Sequence, residues 1–298
     1  MKKFTQITDF STDELYHILD RADDLYDCWH SKNMPESLAN KNIALWFPGN
    51  GFRNRMAFEI GAQAMGAHFS FVPGELGINE PLEDVGHYLN NWFDLAVVRA
   101  KKYSGLMSLA SDLQIPLINA RTEYNHPCEI LGDLQYIRRV RGTIEGLHIV
   151  FIGEVTNLCM SWCQAALRFS IKVTQVAPVE YLLLKDQLAE LRRDAKGELQ
   201  VSEGMEDSID NTVDVIYTDC WPKDKAPGKI RELFLPYQVT QKVLDTMKQD
   251  GFFLPCPPVT RGEELSANSA DNPLCKNYEA KEFLLHSQNA IMEYLCNG

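Results

Sequence analysis

Residues 42–47, Asn42-Ile-Ala-Leu-Trp-Phe47, run into Pro48-Gly49-Asn50-Gly51 and then into Phe52-Arg-Asn-Arg-Met-Ala-Phe-Glu59. A short apolar run closed by a Pro-Gly-Asn-Gly turn signal reads as a buried strand, and the segment after it, 53–65, has the period of a helix. Working outward, 68–72, 95–99 and 116–119 are further short apolar runs, separated by helical patterns at 82–91 and 103–113 and followed by one at 127–140. Strands that alternate with helices at this spacing need crossover connections, which implies a parallel sheet with helices on its faces. The polar stretch 142–146 ends this set. The pattern then restarts with a strand at 148–152, a helix at 157–169 and strands at 172–176, 213–217 and 252–254. The charged segment 185–207 reads as a helix and an exposed loop, and 278–295 as a closing helix long enough to cross back.

The expected fold is therefore α/β, with two doubly wound parallel-sheet domains and a C-terminal helix returning to the first. The first domain is expected at 1–141, completed by about 278–298, and the second at 142–277. A chain of 298 residues, 45% of them hydrophobic, can bury such cores without disulfides or metals. The net charge of −12 argues against a nucleic-acid partner, which requires clustered cations. The one dense basic run, Arg138, Arg139 and Arg141, reads as a solvated helix end complementing the helix dipole, or as a subunit contact. Apolar stretches such as 147–152 are too short to span a bilayer, and 1–10 lacks the apolar core of a signal peptide, so no membrane association and a cytoplasmic location are expected. Eight dispersed cysteines fit free thiols in a reducing compartment. Cys159 and Cys163 share a helix face but have no second ligand pair in the sequence nearby, so neither a metal nor any other cofactor is expected.

Ligands of open parallel sheets bind beyond the carboxyl ends of the strands, and the residues there are the candidates for chemistry. Gly51-Phe52-Arg53-Asn54-Arg55 opens a helix with two guanidinium groups, a setting for an anion or simply a turn with surface arginines. Arg99 ends another strand, facing the same crevice or closing a salt bridge. His126-Pro-Cys-Glu129 opens the next helix, where a neutral imidazole can donate to a carbonyl or merely cap and pack. In the second half, Gly153-Glu-Val-Thr-Asn157 follows a strand but lacks the glycine set of a dinucleotide loop. Asp219 after 213–217 can meet an ammonium or cap a turn. Cys256 sits in the stiff Pro255-Cys-Pro-Pro258 loop.

These segments, with Tyr217-Thr-Asp-Cys-Trp221, Tyr237-Gln-Val239, Arg261-Gly-Glu-Glu-Leu265 and His286-Ser-Gln-Asn-Ala290, occur in an order and spacing that resembles the aspartate/ornithine carbamoyltransferase family, its ornithine branch in particular. The resemblance implies transfer of a carbamoyl group from carbamoyl phosphate to an amine. Arg53, with Asn54, would grip the phosphate, and Arg99 and His126 would polarise the carbamoyl oxygen. Asn157 and Asp219 would hold the acceptor, Cys256 would lie near the attacking amine, and a homotrimer is implied.

Several positions depart from the family pattern. The phosphate loop Ser-Thr-Arg-Thr-Arg stands here as Gly51-Phe-Arg-Asn-Arg55, the Gln after His-Pro-Cys is Glu129, and Lys223-Asp224 replaces a Ser-Met pair. Pro255 replaces the His before the cysteine, and the Arg expected in the final helix falls at Phe283. Glu129 would then face the ligand as a base or an ion-pair partner. The alternatives implied are a donor or ligand other than carbamoyl phosphate, and a non-catalytic amino-acid-binding homologue.

Overall fold

The computed structural model describes residues 1–49 and 51–297. Asn50, within the expected turn, and Gly298, at the end of the expected closing segment, lie outside the described residues. The chain divides into two compact units, 1–142 with 281–298, and 143–280.

In the first unit the elements are β1 (Lys3–Phe4), α1 (Thr12–His30), β2 (Asn42–Trp46), α2 (Phe52–Ala64), β3 (His68–Phe71), α3 (Leu82–Trp92), β4 (Leu95–Arg99), α4 (Tyr103–Asp112), β5 (Leu117–Arg121) and α5 (Pro127–Arg141). All strand pairs are parallel, in the order β1-β5-β4-β2-β3. Strands β2, β4 and β5 are buried over nearly their whole length, which is why they read as continuous apolar runs rather than as alternating ones. The connection from β2 runs one way to β3, while β4 and β5 lie on the other side. The topology therefore switches between β2 and β4, and the crevice outside their carboxyl ends is bordered by Gly51 and Arg99.

The second unit follows with β6 (His148–Ile152), α6 (Asn157–Ala166), β7 (Lys172–Val176), α7 (Lys185–Arg193), β8 (Glu198–Ser202), β9 (Val215–Thr218), α8 (Pro227–Phe234), α9 (Gln241–Thr246) and β10 (Phe252–Pro255). Its sheet is again all parallel, in the order β10-β9-β6-β7-β8. Here the switch falls between β6 and β9, whose carboxyl ends lead into Glu154 and Asp219. The last helix, α10 (Asn277–Asn297), belongs to the first unit from Lys281 onward. It is tied to α1 by the Arg21–Glu293 ion pair and to α5 by Lys281–Asp133, and it passes Gly132 so closely that a Cβ there would lie 3.1 Å from the Leu284 Cα.

Four expectations need correction. The segment 185–207 is not a helix and loop alone, because Glu198–Ser202 pairs with β7 as an edge strand. Its half-exposed, charged composition hid it, as is usual for an edge. The strand expected at 213–217 is Val215–Thr218, and the one expected at 116–119 extends to Arg121. The N-terminal stretch, for which no element was expected, holds β1, a short 3-10 turn at Ile7–Asp9 and α1. Of these, α1 opens on a reciprocal Ser11–Glu14 capping box. That helix also changes the reading of the basic run. Arg138 pairs with Asp20 and Asp23 of α1, and Arg139 with Asp27, so these cations hold α5 to α1 within one chain instead of standing in solvent.

Edge strand β8 can reach its place only because Gly197 has no side chain: a Cβ there would meet the Ile171 carbonyl oxygen at 2.0 Å. Backbone atoms cannot move aside as a side-chain tip can. Gly197→Ala is expected to destabilise the second unit by about 1–3 kcal/mol in urea unfolding. An unchanged midpoint would show that the edge strand yields without cost.

Candidate active site

Arg99 closes β4 half-buried, beside Arg121 at the end of β5, where the register between the two strands shifts. Burial first, and then the charges of Arg121 and Arg53, push its pKa down to about 10, against the opposing pull of Glu129. It stays protonated at neutral pH, but three guanidinium groups near one another form a local excess of positive charge that an anion would relieve. Arg53 is exposed on the first turn of α2, and Gly51 lies against Arg99: a Cβ on Gly51 would sit 3.2 Å from the Arg99 Cδ. A cavity of about 520 Å³ beyond β4 and β5 is lined by Arg99, Arg121, Lys101, Lys102 and Glu75 among others.

His126 is the N-cap of α5 and is buried. Burial pushes its pKa down to about 4, with Arg121, Arg99 and Lys281 acting in the same direction and Glu129 against it. At neutral pH the ring is therefore an uncharged imidazole, able to donate one hydrogen bond. Its Nε2 lies 3.5 Å from the Asn54 Nδ2 and 3.5 Å from a Glu129 carboxylate oxygen. The Asn54 amide is engaged inside the protein: it donates to the Ala120 carbonyl at 2.6 Å and accepts from Gln288 at 2.7 Å. Asn54 thus braces α2 against β5 and α10.

Glu129 is 7% exposed and is held by the Lys281 ammonium at 2.7 Å, which also bonds Asp133 at 2.9 Å. Burial alone would raise the Glu129 pKa, yet Lys281 and Arg53 hold it below the ordinary carboxylate value. The charge that replaces the family's amide is therefore balanced from within the chain. Phe283, where the resemblance places an arginine, stacks on Tyr26 at 4.9 Å and meets Tyr136 edge-on at 5.3 Å. The cation that α10 supplies is Lys281.

In the second unit, Asn157 is buried at the start of α6, with Thr156 as the capping residue. Asp219 accepts from the backbone amide of Cys220 at 2.8 Å, a turn-closing bond. It also faces Glu154. Burial first, then Asp224 and Asp219, raise the Glu154 pKa to about 7. Cys256 is buried just past β10, its amide bonded to the Thr218 carbonyl. The Glu264 carboxylate, also buried, accepts from the amides of Trp221 and Thr260, which accounts for the Arg261–Leu265 motif as a brace of the loop after Asp219. Cys159 and Cys163 are free buried thiols. No helix among the described residues is long and apolar enough to cross a membrane.

The structure brings Arg53, Arg99, His126 and Glu129 to one sheet edge, and Asp219 with Glu154 to the other. Three participants escaped the sequence reading. Arg121 lies beyond the apolar run that marks its strand, Lys281 carries no sequence signal apart from its place in a helix, and Glu154 stands in a loop whose glycine pattern is not that of a dinucleotide site.

The fold and these edges define a two-domain α/β protein with clustered cations at the strand ends of one unit and clustered carboxylates at those of the other. Residues 2–139 match the aspartate/ornithine carbamoyltransferase carbamoyl-phosphate binding domain, and residues 145–295 match the aspartate/ornithine binding domain. The chain belongs to the aspartate/ornithine carbamoyltransferase family. It is 32% identical to an ornithine carbamoyltransferase of Hydrogenovibrio crunogenus over 99% of this chain and 98% of that protein. It is 31% identical to one of Acinetobacter baumannii over 100% and 97% of the two chains. Among solved structures, ornithine carbamoyltransferase from Burkholderia thailandensis superposes with a TM-score of 0.91 at 26% identity, covering 100% of this chain and 99% of that one.

Two stability measurements test the electrostatics of this edge. Lys281→Met should cost about 3–5 kcal/mol, because it leaves two buried carboxylates uncompensated. Lys281→Met combined with Glu129→Gln should recover part of that loss, and equal stability of the single and double variants would show that the pair is not coupled. The His126 pKa lies near 4 folded and 6.5 unfolded, so below 6.5 the unfolded chain binds a proton that the folded chain does not. His126 therefore withdraws roughly 3 kcal/mol of stability as pH falls from 6.5 to about 4. His126→Gln should flatten the unfolding free energy over that range, and a curve parallel to that of the parent chain would count against a buried neutral imidazole.

Proposed function

We propose that this protein transfers the carbamoyl group of carbamoyl phosphate to the amine of an amino acid, with ornithine as the first acceptor to test. The observation that carries the reading is Arg99, held half-buried beside Arg121 and Arg53 next to the neutral ring of His126. Phosphate would neutralise the guanidinium cluster. The carbamoyl oxygen would accept from Arg99 and from the uncharged imidazole, which stabilise it as negative charge develops. The neutral acceptor amine attacks the carbamoyl carbon and the bond to the phosphate oxygen breaks. Phosphate leaves with the electron pair and takes up the proton that the amine loses. Positioning and electrostatics suffice, and no covalent enzyme intermediate is needed.

The substitutions in the phosphate loop remove hydroxyl donors at Gly51 and Phe52. Arg121, Lys101 and Lys102, around the adjoining cavity, supply cationic donors in their place. Glu129 fits this reading because Lys281 balances it, which makes it a weaker candidate for a base or for a partner of a cationic ligand. In the second unit, burial and the nearby carboxylates of Asp224 and Asp219 raise the cost of ionising Glu154, an arrangement suited to a cationic acceptor. Asn157 would orient that acceptor, and Cys256 would pack at its side. The relatives named ornithine carbamoyltransferase support the choice of acceptor. A homotrimer follows from the family pattern.

The test is the purified chain with carbamoyl phosphate and ornithine, its mass read by sedimentation. Inorganic phosphate and a ureido amino acid should appear in equal amounts, and Arg99→Gln should lower kcat by about 10²–10³. Absence of phosphate release above background with ornithine, lysine and simple diamines would overturn the reading. If either ligand then still raised the melting temperature, a non-catalytic binding role would take its place.

A further inference from the structure

The His286-Ser-Gln-Asn-Ala290 motif has no part in the chemistry above, although its histidine is fully buried. Neither ring nitrogen of His286 has a hydrogen-bond partner, and buried polar groups of this kind are rarely left so. One turn earlier on α10, Glu282 presents a carboxylate oxygen 3.9 Å from the His286 Nε2. From the end of α1, the His30 Nε2 lies 3.1 Å from the same oxygen. The ligating atoms of the three residues all lie within 4.8 Å of one another, and His30 and Glu282 are exposed while His286 is buried. Among the described residues this is the one cluster of three such ligands.

The surroundings prepare these atoms for a cation. The His30 Nδ1 lies 2.9 Å from the Tyr26 carbonyl, which can only accept, so Nδ1 carries the proton. A second proton on Nε2 would make His30 an imidazolium paired with Glu282. Without it, Nε2 points a lone pair at a carboxylate oxygen, and only a cation reconciles the two acceptors. A backbone carbonyl that fixes the tautomer in this way is the usual outer support of a metal-bound histidine. The ring stacks on Tyr26 at 4.1 Å, and Tyr26 also meets His286 edge-on at 5.0 Å, so both imidazoles are held by one aromatic wall. Both ring nitrogens of the buried His286 lack a hydrogen-bond partner, which leaves a lone pair available to a ligand. Of the charges facing it, Arg139 on α5 opposes a cation and Asp27 on α1 favours one.

We propose that His30, Glu282 and His286 form a binding site for a divalent transition metal of the zinc class. Two imidazoles and a carboxylate are a standard ligand set for such an ion. At bonds of about 2.0–2.2 Å, tetrahedral ligands stand roughly 3.3–3.6 Å apart. The separations of 3.1 and 3.9 Å to the Glu282 oxygen bracket that range, and the third, between the two imidazoles, is within 4.8 Å, so the side chains must close on the ion where they stand wider. A solvent molecule would complete the fourth position, reached past the exposed His30 and Glu282. The ion would clamp the end of α1 to the turn of α10 that follows Lys281.

The experiment uses the full chain, dialysed against a chelator and titrated with Zn²⁺ by calorimetry and with Co²⁺ by absorption. One ion per chain should bind, Co²⁺ should show visible bands without a thiolate charge-transfer band, and Zn²⁺ should raise the melting temperature. His30→Gln and Glu282→Gln, both at exposed positions, should keep the native circular dichroism and weaken Zn²⁺ binding at least tenfold. Failure to bind at about 100 μM, a level any working zinc-class site saturates, would mean that His30 and Glu282 form only an ion pair, and would overturn the proposal. Binding that keeps its affinity in both variants, or that shows the thiolate band, would place the metal on cysteines and overturn it equally.

Discussion

The Lys281 ammonium between the carboxylates of Glu129 and Asp133 is the contact on which the first unit depends. Those carboxylates are 7% and 1% exposed, and burying such charges costs several kcal/mol each unless a partner meets them. The partner comes from the last helix, so the start of α5 keeps its charge state only when α10 is seated on it. Because His126 caps that same helix start, the placement of its ring is coupled to the docking of α10. A second tie, from Gln288 on α10 through Asn54 to the Ala120 carbonyl, fixes α2 and β5 to the same helix. The edge that presents Arg99, Arg121 and His126 is thus assembled from distant parts of the chain by two polar links.

The two units gather like charge in opposite senses. At the first sheet edge Arg99 is destabilised as a cation by burial, Arg121 and Arg53, and its pKa falls to about 10. At the second, burial, Asp224 and Asp219 destabilise Glu154 as an anion, and its pKa rises to about 7. In each case the fold sets like charges close together, a state that a ligand of opposite sign would improve.

Much of this was legible in the sequence. Fully buried strands such as β2 and β4 write themselves as unbroken apolar runs, and the residues just beyond them are where a parallel sheet puts its ligands. Arg53, Arg99, His126, Glu129 and Asp219 could therefore be named without coordinates. What stayed hidden depended on pairings between distant positions. Arg121 lies two residues past the apolar run that defined its strand. Lys281 is an unremarked lysine until α5 is beside it, and β8 lacks the apolar signature because one of its edges has no neighbour. By contrast, the helix α1 was legible, for Ser11 and Glu14 spell its start and Leu15, Ile18, Leu19, Ala22 and Leu25 recur at helical spacing.

The departures from the family pattern take on a different meaning once their partners are known. The substituted positions Glu129 and Asn54 are each held by a polar residue of α10, Glu129 by Lys281 and Asn54 by Gln288. A lone carboxylate in place of the amide would repel a phosphate and burden the fold. Lys281, shared between Glu129 and Asp133, offsets part of that charge and ties the start of α5 to α10. Phe283 follows the same logic: its ring packs between Tyr26 and Tyr136, so the helix meets the donor side with an apolar anchor and an internal ion pair instead of a guanidinium. Arg53 remains exposed on the first turn of α2, while Arg99 and Arg121 stand at strand ends, where the sheet holds their guanidinium groups more rigidly than a turn would.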